Sequence, residues 1–283
     1  PYELEISRLE ETFRWACAAD IRGLERAVKL AGLSPLAAVG SGGSLTAAQA
    51  LVTLHQSYTG KPGIVQTPLE AVDTVFEAAV SQWLLSAGGS NVDINVAAKS
   101  LIEREHRQIA VMCGRANSPI TAICERHPFV VLLVFPPPAG KDGFLATNSL
   151  LAFSTLLARA YVSVFDNLAS WDDVSDVVAP LLDASSEPVR IWRAAADTLW
   201  QRSTTIVLYG PSTKVGAIDI ESKFTEAALG NIQLADYRNF AHGRHHWLAK
   251  CEDQTAVLAL VAGEDRELAN KTLKLVPVEV PIA

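Results

Sequence analysis

The sequence predicts an α/β protein of two doubly wound halves, each a parallel sheet flanked by helices, the second half shorter than the first. Three observations carry this. LAAVG (36–40), SQWLLS (81–86) and FVVLLVF (129–135) are apolar throughout, as strands buried on both faces must be. Segments of helical period alternate with them. The order strand, small-residue turn, helix recurs after residue 203.

In chain order, residues 3–31 set Leu4, Ile6, Leu9, Phe13, Trp15 and Ala18 among charged positions, a helical period. LAAVG is a strand feeding GSGGS (40–44), and Leu45 to Tyr58 is a helix. GIVQT (63–67) is a short strand. SQWLLS is a strand that leads through SAGGSN (86–91) into a helix from Val92 to Glu105. RQIAVMC (107–113) and FVVLLVF are two more strands, with a short helix from Pro119 to Arg126 between them. PPPAGKDG (136–143) is a loop, and Thr147 to Phe165 is a long apolar helix. Helical stretches at 171–183 and 189–202 lead to the strand TTIVLYG (204–210). A helix (217–230), a loop or short strand, TAVLALVAG (255–263), a helix near 264–272 and KLVPVEV (274–280) complete the second half.

The expected division is 1–168 for an N-terminal helix plus the first domain, 169–203 for a helical linker, and 204–283 for a partial second domain. That second half offers about three strands against the usual four to six. A truncated half, or one completed by a partner, is therefore expected.

The chain has 283 residues, 49% of them apolar and 19% charged, enough for sizeable cores and in keeping with a soluble globular protein. A net charge of -7 and a pI near 5.4 argue against nucleic acid as a partner. Cys17, Cys113, Cys124 and Cys251 are scattered, without metal-finger spacing, which reads as reduced thiols in a cytoplasmic protein. No apolar run reads as a membrane span and no signal peptide is visible, so no membrane partner is expected.

GSGGS and SAGGSN follow two of these strands. Glycines admit close backbone approach, serines donate hydroxyls, and a helix N-terminus supplies oriented N–H groups, a combination suited to phosphate. Neither turn is a Walker A or GxGxxG sequence. Ser41, Ser44, Ser86 and Ser90 are the candidate ligand hydroxyls. Further along, Lys223 and Glu226 lie one helical turn apart, among Phe224, Ala227, Ala228 and Leu229. This places Glu226 at the edge of a buried face, where desolvation would raise its pKa toward that of a useful base. His242 precedes Gly243, which allows a tight turn presenting the imidazole. His245 and His246 have no HExxH and no nearby Cys to complete a metal set, so no metal is expected. A cation, a carboxylate and an imidazole beside an anion-binding turn suit proton shuttling on a sugar phosphate.

With these motifs in this order, the sequence resembles the SIS (sugar isomerase) family, in particular the tandem-SIS isomerase domain of glucosamine-6-phosphate synthase. The likeness covers about residues 35–280. GSGGS matches the family's first Ser-bearing loop, with Ser44 the equivalent Ser. LLSAGGSNVD matches its SxSGxT loop at Ser86 and Gly89, but carries Gly88 and Asn91 where the family has hydroxyls. ATNSL (146–150) resembles the stretch opening a later helix beside the ligand, with Thr147 the contact. Lys223, Glu226 and His242-Gly243 fall at the family's spacing for the isomerase Lys, Glu and His-Gly.

The resemblance implies two SIS-type doubly wound halves, a homodimer or larger assembly, and no metal or organic cofactor. The ligand it implies is a sugar phosphate or amino-sugar phosphate, bound by Ser41, Gly42, Gly43, Ser44, Ser86, Gly89, Ser90, Asn91 and Thr147. The activity implied is aldose–ketose isomerisation, or a deaminase-like reaction on an amino sugar or an amino acid–sugar adduct. Glu226 would move the proton, His242 would assist ring opening and Lys223 would stabilise oxyanion charge. The alternative is a non-catalytic phosphosugar sensor. No match to the family's Schiff-base lysine tail occurs before Ala283, and ammonia-using synthase activity is not expected.

Overall fold

The computed structural model describes residues 2–106, 108–166 and 171–283. The chain divides into two compact units, Pro1–Asp183 and Ala184–Ala283. The sequence boundary between 168 and 169 lies outside the described residues.

Unit 1 opens with three helices, α1 (Tyr2–Ile6), α2 (Leu9–Ala18) and α3 (Arg22–Ala31). One continuous apolar period covers all three, which is why the breaks near Ser7 and Ala19 leave no mark in the pattern. The sheet follows: β1 (Leu36–Val39), α4 (Gly43–Thr59), β2 (Gly63–Gln66), α5 (Pro68–Asp73), β3 (Ser81–Ser86), α6 (Val92–Glu103), β4 (Ile109–Cys113), α7 (Pro119–Cys124), β5 (Val130–Val134), then α8 (Asn148–Phe165) and α9 (Asp172–Val178). All five strands are parallel, in the order β2-β1-β3-β4-β5.

Alternation along each strand assigns its two faces. Trp83 and Leu85 of β3 pack with Leu36, Ala38 and Met112 under α3, α4 and α8. Leu84, between them, joins Val39, Val111 and Ile94 on the α6 and α7 side. With both faces covered, β1, β3 and β4 are buried throughout. α5 is started by a capping box between Thr67 and Glu70 with Pro68 in its first turn. Arg104 fastens its far end by donating to the carbonyls of Ala71, Val72 and Thr74.

α8 alone among the described helices has the length and mean hydropathy of a membrane span, 18 residues at 1.2, which corrects the expectation that no such run exists. Half of that helix is buried within the unit, where Phe153, Leu156, Leu157, Ala160 and Tyr161 fill the core. Its apolarity has a use inside the fold.

Unit 2 holds α10 (Glu187–Ala196), β6 (Thr204–Tyr209), α11 (Lys214–Glu226), β7 (Asn231–Asp236), α12 (Tyr237–Ala241), α13 (Leu248–Cys251), β8 (Thr255–Leu260) and α14 (Arg266–Leu273). Its sheet is parallel, ordered β7-β6-β8. Three strands were expected, but the third is a different segment. KLVPVEV forms turns, in keeping with Pro277, which has no N–H to offer a ladder. Its place is taken by β7, an edge strand of half-exposed residues whose Asn231, Gln233 and Asp236 hide it from an apolar-run reading. The last residues then run beside β8, with Val257 N–H donating to Pro281 O (2.8 Å) and Ala283 N–H to Val257 O (3.0 Å).

Candidate functional site

Parallel α/β sheets present ligands at the carboxyl ends of their strands. β1 and β3 are neighbours, with Val39 opposite Leu84, so their two following turns lie side by side. After β1 the chain turns at Gly42, with φ 53°, and enters α4. After β3 it turns at Gly89, with φ 65°, and enters α6. Ser44 ties the two turns together and Ser86 braces its own. Ser44 Oγ accepts from Ala87 N–H at 3.3 Å, and Ser86 Oγ accepts from Gly89 N–H at 3.0 Å. Each hydroxyl thus takes a backbone bond, leaving its own proton to donate to an anion.

These turns open onto a cavity of about 620 Å3, in the range of small-molecule sites. Ser41, Gly43, Ser44, Ser86, Ala87, Gly88 and Asn91 line one side. The loop after β4 (Gly114, Arg115, Ala116, Asn117) and the loop between β5 and α8 (including Lys141 and Asp142) line the other. Arg115, Asn117, Lys141 and Asp142 were missed by the sequence reading. No local motif marks them; the strand order brings their loops to this cavity.

Asp142 spends its charge inside the protein. Its Oδ1 accepts from Thr147 Oγ1 and Asn148 N–H, both at 3.0 Å. Its Oδ2 accepts from Ser149 N–H at 3.0 Å and from the Ser149 hydroxyl. The carboxylate therefore satisfies the N-terminus of α8, where unpaired N–H groups attract negative charge. From α1, Glu5 Oε1 accepts from Gly143 N–H at 2.7 Å, and its Oε2 lies 3.2 Å from Thr147 Oγ1, sharing that hydroxyl with Asp142.

Five of the nine expected ligand contacts line the cavity: Ser41, Gly43, Ser44, Ser86 and Asn91. The Asn91 side chain also caps α6, accepting from Asp93 N–H (2.8 Å) and Ile94 N–H (3.2 Å). Gly42 and Gly89 shape the turns instead, and Ser90 is exposed outside the lining. Thr147 lies outside this lining. It is buried and engaged with Glu5 and Asp142, and the lining residues beside it are Ala146 and Ser149.

Lys223, Glu226 and His242 lie in unit 2. Lys223 forms an ion pair with Asp219, one turn back, and both side chains are about three-quarters buried. Burial pushes the Asp219 carboxyl up, against the downward pull of the Lys223 bond. Glu226 is corrected as a desolvated carboxylate. It is the exposed last residue of α11 and accepts from Ser222 Oγ at 3.0 Å. His242 is exposed at the end of α12, where Gly243 turns the chain with φ 113°. His245 donates from Nδ1 to Phe240 O at 3.3 Å. Among the described residues no hydrogen bond or ion pair joins Lys223, Glu226 and His242 to one another. Unit 2 also has a mainly apolar cavity of about 810 Å3 between α12 and α14, and none of the three lines it.

No family model matches the sequence, and no curated protein matches it. Solved structures are. The C-terminal domain of glucosamine-fructose-6-phosphate aminotransferase from Francisella tularensis has TM-score 0.73 at 18% identity, over 95% of this chain and 77% of that one. Glucosamine-6-phosphate deaminase from Thermotoga maritima has TM-score 0.71 at 17% identity, over 98% and 86%. Tagatose-6-phosphate ketose/aldose isomerase from Escherichia coli has TM-score 0.70 at 14% identity, over 96% and 77%. With a parallel five-stranded sheet, a second parallel sheet of three strands and helices around both, the chain has the SIS fold.

Proposed function

We propose that unit 1 binds a phosphorylated sugar in the cavity at the ends of β1 and β3. The observation that carries this is the pair of hydroxyls, Ser44 and Ser86, each oriented by a backbone N–H and set beside the first turns of α4 and α6 on one cavity. Oriented donors at helix N-termini suit a phosphate. That the similar structures include an isomerase and a deaminase of sugar phosphates supports the reading.

The chemistry we infer is proton transfer between C1 and C2 of the open-chain sugar through an enediol. Glu226 is its base, His242 the group assisting ring opening and Lys223 the cation beside the developing oxyanion. The three belong to unit 2 of the same or a neighbouring copy, in a tandem-SIS chain that assembles at least as a homodimer and works in the cytoplasm. A second reading, a non-catalytic phosphosugar sensor, is favoured by the exposure of Glu226 and by Gly88 and Asn91 in the second loop.

A panel of hexose and amino-sugar phosphates is the test, because a ligand that binds only the native state raises Tm. Ser44→Ala with Ser86→Ala removes two backbone-anchoring bonds, each contributing about 1 kcal/mol, so the unliganded Tm falls modestly. The ligand-induced rise disappears. A double variant that binds as tightly as the wild type removes the site assignment.

A further inference from the structure

We propose that the same cavity contains a second anion subsite, formed by Arg115 and Lys141, and that the substrate carries a second negative group besides its phosphate. The inference rests on the phosphosugar reading and adds a substrate class to it.

Three observations lead here. First, the cavity has two cations and one carboxylate in its lining, and that carboxylate, Asp142, is already bound to Thr147, Asn148 and Ser149. Arg115 and Lys141 have no hydrogen-bond or ion-pair partner among the described residues. In a chain of net charge -7, this lining carries one more cation than carboxylates, with the Glu5 carboxylate held behind it on Gly143 and Thr147.

Second, the cations stand apart from the hydroxyl cradle. Ser86 and Cys113 are register partners on β3 and β4, and Arg115 follows two residues after Cys113. The loop that carries Arg115 thus leaves the sheet one strand beyond β3, roughly 4.8 Å at Cys113, on the side away from β1 and its Ser44 turn. Lys141 comes from the loop after β5, the next strand outward.

Third, both loops are anchored. Gly114 N–H donates to Ser86 O at 3.3 Å, and a Cβ on Gly114 would lie 2.6 Å from Ala87 O, so the β4 loop presses against the Ser86 turn. On the far side of Arg115, Ser118 starts α7 with a capping box. Lys141 is flanked by the bonds of Asp142 and Gly143 and by Arg8 donating to Ala139 O at 3.4 Å. The planar fork of Arg115 matches carboxylate or phosphate oxygens, and Lys141 adds a point charge.

The probes are two pairs of open-chain-competent sugar phosphates that differ in charge at C1. One pair is glucitol 6-phosphate and 6-phosphogluconate, the other fructose 6-phosphate and fructose 1,6-bisphosphate. Calorimetric titration of the full chain should show the charged member of at least one pair binding tighter by about tenfold or more, the scale of a charge-assisted bond. Preference within the first pair alone identifies a carboxylate as the second group, and within the second pair alone a phosphate. Arg115→Gln with Lys141→Gln, both exposed and unpaired, should abolish the preference while the neutral members hold within about threefold.

Wild-type protein that binds the neutral members with no preference for the charged ones overturns the subsite and leaves the phosphosugar reading standing. So does a double variant that weakens all four probes equally, since the cations would then serve the shared phosphate. A wild type that binds none of the four, nor any member of the phosphosugar panel, overturns the phosphosugar reading and the subsite with it.

Discussion

His55 has no exposed surface, and both its ring nitrogens are used. Nε2 lies 3.1 Å from Ser34 O, a carbonyl that only accepts, so Nε2 carries the proton. Nδ1, 3.1 Å from the Tyr161 hydroxyl, then accepts from it. Burial pushes the His55 imidazole below its ordinary range, with the Ser34 bond pulling weakly the other way. His106 is lowered by burial as well. A folded pKa below the unfolded value of about 6.5 gives stability that is complete above that pH and is lost as pH falls through the folded value. Tm should therefore drop on acidification from pH 7 to pH 5. His55→Gln should lower stability at pH 7 by about 1–3 kcal/mol, through an unsatisfied buried partner, and flatten the acid slope. An unchanged slope in that variant would reassign the pH dependence to other groups. At this scale the sequence showed residue types but not their partners. Lys223 and Glu226 looked paired by spacing, while the structure pairs Lys223 with Asp219 in the same DIESK segment. Arg115 and Lys141 carried no local pattern at all, because only the strand order brings their loops to one cavity.

Elements built on strong local chemistry were legible, and those defined by a neighbour were not. β1, β3, β4 and β5 were visible as apolar runs, and α4 and α6 as the helices that follow small-residue turns. α5 was missed although TPLE contains a Thr/Glu capping box with Pro between, a start signal that six helical residues left easy to overlook. The N-terminus of α8 shows how one element is completed by others. It has no local side-chain cap at Thr147 and relies on Asp142 and on Glu5 of α1. Asp142→Ala should destabilise unit 1 by about 1–2 kcal/mol, the loss of a strong N-cap, seen as a lower urea midpoint at unchanged slope. A midpoint equal to wild type would mean that water or Glu5 replaces the carboxylate without cost.

Across the whole chain, alternation of buried strands with helices was enough to read an α/β protein with a parallel sheet, because few sequences satisfy both periods in turn. What a site does was less legible, since the residues proposed for binding and for chemistry lie far apart in the chain: the hydroxyl cradle in Pro1–Asp183, and Lys223, Glu226 and His242 in Ala184–Ala283. The two functions can therefore be separated by experiment. Loss of a positioned base costs about two to four orders of magnitude in rate, and Glu226→Gln keeps the side chain's shape. Ligand should still raise Tm in that variant, while exchange of the sugar's C2 proton with solvent deuterium, followed by NMR, stops. The Ser44→Ala, Ser86→Ala variant should lose both. If the proton-transfer groups act on a ligand held by a neighbouring copy, mixing the two inactive variants should restore part of the exchange, and light scattering at micromolar concentration should report a dimer or larger. A monomer that binds ligand tightly would sink the shared arrangement. Exchange as fast in Glu226→Gln as in wild type would keep the chemistry but name another base, with Asp219, the carboxyl that burial pushes up, next to be replaced. No C2 exchange by wild type on any sugar phosphate it binds would leave the sensor reading in possession.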